Sequence, residues 1–252
     1  MSVALVTSPL FASVPGIVHG FTTRESGVSA MPYASLNLGG TGDERSAIES
    51  NRARVLLALN RPDATWVALK QVHGCDVVQV TRQASRSISA DGLWTRDRSV
   101  VVAILVADCV PILFADMKGR AIGAVHAGWR GTAARITKQM VKRFEDAGVA
   151  LADIRVAIGP AIGPDDFEIG PEVALELTTA FPEPRGAIRP GEGDRSFADL
   201  WALNKRALIE VGVAEANIDV IGISTVSDER FFSHRRDNGV TGRQAGVIAF
   251  AR

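Results

Sequence analysis

Residues 100–132 read VVVAILVADCVPILFADMKGRAIGAVHAGWRGT. Two apolar runs within this stretch, 100–106 and 121–125, are short, rich in valine and isoleucine, and bounded by Asp or Gly, which is the pattern of buried strands. The second run stops at His126 and Gly128. Residues 132–147 then change period. Ile136, Met140, Val141 and Phe144 fall on one helical face, Thr132 is a candidate N-cap and Gly148 a C-cap. Further strands are predicted at 66–72, 77–80, 155–158, 218–223 and 246–250. Further helices are predicted at 45–59, at 171–180 behind Pro171, and at 197–211 before Gly212. Strands and helices mix without strict βα alternation, which predicts an α+β fold with mixed sheets. The Pro/Gly-rich stretch 181–194 is short enough to be a loop within one domain spanning residues 1–252.

The bulk numbers narrow the function. The chain has 252 residues, with 28 Lys plus Arg against 28 Asp plus Glu. A net charge of zero gives no electrostatic case for nucleic acid or an anionic membrane as partner. No apolar run approaches the ~18 residues of a membrane span, and the first residues lack the basic region of a signal peptide. Two cysteines, Cys75 and Cys109, are too few for a disulfide framework, so a reducing, cytoplasmic setting is expected.

Chemistry concentrates at three strand ends. His73 follows WVALKQV, Cys109 follows VVVAILVAD, and His126 ends AIGAV. If those strands are neighbours in one sheet, their ends converge. A thiolate with two imidazoles suits Zn2+, and three protein ligands leave a fourth position open for water or substrate, which is the catalytic arrangement. The same donors also accept Cu2+. Without a metal, Cys109 could act as nucleophile with His126 or His73 as its base. Each residue alone has a plainer explanation, since a single buried cysteine usually packs as a small hydrophobe. Cys75, two residues beyond His73, is a packing residue or an additional ligand.

Several neighbours are candidates for supporting roles. Asp108 could be a catalytic base, a partner to a histidine, or a turn former. GWRGT at 128–132 offers a helix N-terminus beside Arg130, a place for a phosphate, or else a tight turn with Arg130 paired to a carboxylate. Arg24, Lys70 and Gln71 are candidate pocket contacts. His234 with Arg235 and Arg236 reads as a solvated basic cluster.

These segments resemble one family. HGFTTRESGVS (19–29), SLNLG (35–39), LKQVHG (69–74), ADG (90–92), VADCVPILFAD (106–116), AVHAGWRGT (124–132), IGPAIGP (158–164), FEIG (167–170) and FFSHRRDNGVTGR (231–243) are similar, in order, to the laccase-domain purine nucleoside phosphorylase family, also described as polyphenol oxidases or peptidoglycan editing factors. The resemblance implies a single domain with mixed sheets between helical layers. It implies metal ligation by His73, Cys109 and His126. It also implies phosphorolysis of adenosine, inosine and methylthioadenosine, with nucleoside and phosphate as partners, and adenosine deamination. In some members it implies copper-dependent phenol oxidation or editing of peptidoglycan precursors by an amidase reaction. The chain departs from the family pattern at Ser26, where glycine is usual, at Asp165 and Asp166, where two cysteines are frequent, and at His234, where tyrosine is usual.

Overall fold

The strand Val100–Val106 is apolar at every position because both of its faces are covered. Val100, Val102, Ile104 and Val106 enter one core, while Val101 and Ala103 enter another. Side chains alternate across a strand, so a strand with no polar face must lie between two layers. The computed structural model, which describes residues 3–40, 42–84, 88–184 and 186–252, shows those layers.

One sheet has the spatial order β1 (Leu5–Val6), β2 (Ile17–Thr22), β14 (Gln244–Phe250), β6 (Val100–Val106) and β3 (Thr65–Val67). A second has the order β13 (Ile218–Val220), β9 (Ile154–Ile158), β7 (Val110–Asp116), β8 (Ile122–Ala127), β5 (Gly92–Thr95) and β4 (Val77–Gln79). Both are mixed: β3 runs parallel to β6 while β14 runs antiparallel to it, and β9 is parallel to β13 but antiparallel to β7. The sheets face one another across Val102, Ile104, Leu113, Ala124 and Ile248. Helix α2 (Arg45–Ala58) covers the outer face of the first sheet, with Val55 against Val101, Ala103 and Val247. Helices α4 (Ile136–Asp146) and α6 (Leu200–Glu210) cover the outer face of the second, where Met140, Phe144 and Leu203 meet Ile112, Phe114 and Val125. The expected α+β fold, a single domain with mixed sheets between helices, is therefore the observed one. Truncating fully buried Phe144 to alanine would cost ~3–5 kcal/mol by loss of burial and cavity formation.

Several local expectations are corrected. Residues 132–147 do not form one helix. Arg135 adopts a left-handed φ of 59° and divides α3 (Trp129–Ala133) from α4, so Thr132 lies inside α3 instead of capping the helix. The helix predicted from 197 starts at Leu200, where Asp199 accepts a capping bond from the Ala202 N–H at 2.9 Å; Ser196–Ala198 before it is a strand. The strand predicted over 66–72 stops at Val67, and that over 218–223 stops at Val220. β7 is central yet contains Pro111, a residue that argues against a central strand. It is tolerated because Pro111 lies beyond Ile112, the end of the pairing with β9. β2 has no clean apolar pattern because His19 and Gly20 interrupt it.

His19 closes the first sheet over the N-terminal turn. Its Nε2 accepts the Ser8 N–H at 2.9 Å, its ring centroid lies 4.8 Å from that of Phe11, and the Ser8 hydroxyl donates to Asp219 at 2.5 Å. Burial lowers the His19 pKa to about 4, and the charge of Asp219 offsets only part of that shift. The accepting ring must be neutral. Its folded-state pKa is below the ordinary value of about 6.5, so its contribution to stability is complete above that pH and is lost as pH falls toward 4. An NMR titration of the His19 ring is expected to show a midpoint near 4, with unfolding stability declining over the same interval. A midpoint near the ordinary histidine value would contradict this packing.

Candidate metal centre

His73, Cys109 and His126 arrive from different layers. β6 and β7 belong to opposite sheets, and Cys109 sits in the short link that crosses between them. His126 is the penultimate residue of β8, opposite Pro111 of β7. His73 follows the first sheet's edge strand β3, in a turn where its own φ is a left-handed 60°. The expectation of neighbouring strands within one sheet is thus corrected: the convergence is between sheets. One ligand atom from each residue lies within 4.8 Å of the others. The two imidazoles meet edge to face with centroids 4.8 Å apart.

Asp91 arranges both histidines. It is fully buried at the start of the ADG turn into β5. Its Oδ1 lies 2.8 Å from His126 Nδ1 and accepts the His73 N–H at 2.9 Å. Its Oδ2 accepts the N–H groups of Gly74 at 2.7 Å and Val72 at 3.1 Å. Its carbonyl accepts the His126 N–H at 2.7 Å. Three backbone donors converging on one carboxylate stabilise the left-handed turn at His73, a conformation uncommon for a residue with a side chain. The bond at Nδ1 leaves Nε2 of His126 for the centre, the usual arrangement around a metal-binding histidine.

The electrostatics couple the three side chains. Burial would raise the Asp91 pKa, but the bonds from His126, Gly74 and Val72 outweigh it and hold the carboxyl below its ordinary value. Burial also opposes ionisation of Cys109, yet His126 and His73 bring the thiol down to about 6. Burial opposes protonation of His126, yet Cys109 and Asp91 raise it to about 9. Both shifts favour the ion-pair form of Cys109 and His126, and a cation at the centre would take the place of the His126 proton.

The residues fit a metal ion. The donors are soft and nitrogenous, as zinc or copper prefers. Space is reserved by Gly128, at the start of α3: a Cβ there would lie 3.1 Å from Cys109 Sγ and 3.2 Å from a carbon of the His73 ring. Tetrahedral zinc donors stand about 3.5 Å apart, so the widest pair would close in on the ion. No other group of three or more such donors occurs among the described residues.

Two cavities meet here. One, of about 440 Å3, is lined by His73, Cys109 and His126 together with Gln71 and Arg243. The other, of about 160 Å3, is mainly apolar, with Trp129, Ile162, Phe167 and Leu200. Cys109, Ala107 and His234 border both.

The remaining candidates are placed as follows. Gln71 borders the larger cavity, but its amide is engaged with the Leu105 backbone, donating to the carbonyl at 2.7 Å and accepting from the N–H at 2.9 Å. Asp108 borders the smaller cavity; its carboxylate accepts from the Thr225 hydroxyl and the Arg235 N–H, both at 2.7 Å, and so anchors the 231–243 segment. Arg24, Lys70 and Arg130 border neither cavity. Arg24 donates to the Ala34 carbonyl and stacks on Phe232. Lys70 is exposed and bridges to Ser89 through its backbone. Arg130 stacks 4.2 Å over Trp129. Cys75 packs against the outer core and stays outside the donor trio. Sequence reasoning missed Asp91 and Arg243. The signal for Asp91 was an aspartate preceding a glycine and an apolar strand; for Arg243 no local pattern stands out.

Fold and site define an α+β protein with one open, three-donor centre at the end of a two-sheet sandwich. The chain belongs to the family described as multi-copper polyphenol oxidoreductase laccase, whose family model matches residues 18–251. Among its curated relatives, the purine nucleoside phosphorylase YlmD of Geobacillus stearothermophilus is 38% identical over 96% of this chain and 92% of its own. The purine nucleoside phosphorylase YfiH of Escherichia coli is 38% identical over 95% of this chain and 96% of its own. The crystal structure of YlmD from Geobacillus stearothermophilus matches with a TM-score of 0.90 at 37% identity, covering 97% of this chain and 94% of that one.

Two substitutions test the centre. Asp91→Asn is expected to weaken metal binding by about 10–100-fold in a chelator competition, the usual cost of losing a partner that orients a ligand. Gly128→Ala is expected to leave the fold intact by circular dichroism while lowering bound metal well below that of the unchanged chain. Full metal loading in both would show that neither residue shapes the centre.

Proposed function

We propose that this chain is a metal-dependent purine nucleoside phosphorylase acting on adenosine, inosine and methylthioadenosine, with adenosine deaminase activity at the same centre. The observation that carries the reading is the placement of His73, Cys109 and His126 on the larger cavity, with Cys109 also bordering the mainly apolar one. The names of relatives similar over nearly the whole chain support it.

His73, Cys109 and His126 would hold the ion, with zinc as the preferred candidate and copper as the alternative. When bound, zinc supplies Lewis acidity and lowers the pKa of water toward ~7. The chain's own residues provide the positioning. Asp91 fixes the His126 ring, Gly128 keeps the space clear, and the side chains of Trp129 and Phe167 form an apolar slot suited to a flat purine. In phosphorolysis a phosphate oxygen forms a bond to C1′ as the C1′–N9 bond breaks. The bonding pair leaves with the purine, and the proton it gains balances the one that phosphate gives up. In deamination a water oxygen replaces the 6-amino group, which leaves as ammonia.

The family description names several coppers, whereas the described residues assemble one donor trio, which favours single-ion chemistry over a laccase reaction. Asp165 and Asp166, standing where cysteines are frequent in the family, pair with Arg189 and Ser224. The two free thiols fit the reducing cytoplasm, where we place the protein. No described helix is long and apolar enough to cross a membrane.

Metal-quantified protein incubated with adenosine is expected to form adenine only when phosphate is present, and inosine with or without it. Cys109→Ala should lose metal and both activities together. Adenine release by a metal-free variant would remove the metal from the mechanism. Phenol oxidation with copper, or cleavage of amidated muramyl substrates without either nucleoside activity, would replace the reading.

A further inference from the structure

The larger cavity carries an uncompensated charge. Of the described residues bordering it, Arg243 is the one with a fixed charge, and no carboxylate borders it. Arg243 forms no ion pair with any described acid. Its Nη1 donates to the carbonyls of Thr241 at 2.9 Å and Gly242 at 2.8 Å, which fixes the guanidinium, while Nε and Nη2 have no hydrogen-bond acceptor among the described residues. These two donors are not among the buried unpartnered atoms, so they remain open to an acceptor that enters the cavity.

The surroundings are built around this arginine. Asn37 Oδ1 accepts the Arg243 N–H at 2.8 Å and the Gly39 N–H at 3.3 Å, so one buried amide ties the arginine to the glycine loop beside it. Asn37 is itself held by Asp43, to which its Nδ2 donates at 2.8 Å. The Leu38 N–H donates to the Arg243 carbonyl at 3.0 Å. Gly40 borders the same cavity at a φ of 100°, and a Cβ there would come 3.8 Å from Arg243 Cγ. Gly40 thus lies beside the aliphatic stem of Arg243 and adds no side chain of its own there.

We propose that Arg243, set by Asn37 beside Gly40, is the oxyanion-binding residue of this site and holds the inorganic phosphate consumed in the reaction proposed above, on which this assignment rests. Nucleosides are neutral, whereas inorganic phosphate is an anion. A guanidinium with free donors and no carboxylate partner matches a tetrahedral oxyanion through paired N–H···O bonds. Arg130, the cation expected from sequence, is exposed and stacked on Trp129 outside both cavities. The nucleoside's base then occupies the apolar side of the centre and phosphate the Arg243 side.

The test uses full-length, metal-loaded protein and two readouts. In steady-state phosphorolysis of inosine, Arg243→Gln is expected to raise KM for phosphate at least tenfold while changing KM for inosine less than threefold. Arg243→Lys, which keeps the charge but loses the fork, should fall between. In calorimetric titration with inorganic phosphate alone, the unchanged protein should bind and Arg243→Gln should not. Binding that depends on Arg243 in a protein without nucleoside cleavage would retain the anion site and overturn only the reaction. Cleavage in which Arg243→Gln and Arg243→Lys both keep the phosphate KM would retain the reaction and overturn the site. So would equal rises in both KM values, or no phosphate binding by the unchanged protein.

Discussion

The carboxylate of Asp91 accepts the N–H groups of Val72, His73 and Gly74 and faces Nδ1 of His126. Two of the three candidate ligands therefore depend on one buried group, and they depend on it differently. For His73 the carboxylate sets the backbone, stabilising a left-handed turn. For His126 it sets the ring, so that Nε2 faces inward. A buried charge of this kind is costly unless its lone pairs are used, and here four partners use them. The order of the metal centre thus comes from the satisfaction of one acid in the core.

The third ligand is placed by topology. Cys109 lies where the chain leaves one sheet for the other, so the packing of the two sheets brings it to the histidines. Asp108, its neighbour, has a left-handed φ of 85° and accepts from Thr225 and Arg235. The crossover is thereby fastened to the segment that carries His234 and leads to Arg243. A shift in the relative position of the sheets would move the thiolate, the cavity rim and the cationic end together.

Functionally, the family description and the names of the relatives point to different chemistries, and the site favours one of them. Among the described residues, one soft-donor trio, an apolar cavity on one flank and the Arg243 guanidinium without an acidic partner on the other fit the proposed neutral heterocycle and oxyanion better than electron transfer among several coppers.

The sequence by itself determined the fold class, because burial leaves its mark at each position: β6 is apolar throughout, α4 shows a helical stripe, and the absence of strict βα alternation favours mixed sheets over a doubly wound one. It also pointed to the candidate donor types, since His and Cys behind apolar runs are readable without coordinates. It could not show the break at Arg135 or the strand Ser196–Ala198, because both result from tertiary contacts that override local periodicity. It could not assign Asp91 or Arg243, because an aspartate or arginine gains its role from partners far along the chain: His126 and Val72–Gly74 for one, Asn37 for the other. It offered Arg130 as a phosphate contact because helix-start chemistry is local and visible; the guanidinium of Arg243 reaches the larger cavity only when β14 pairs between β2 and β6, which no local pattern shows. Composition and period are properties of a segment, but hydrogen-bond satisfaction in a closed core is a property of the whole chain, and only the tertiary structure decided it.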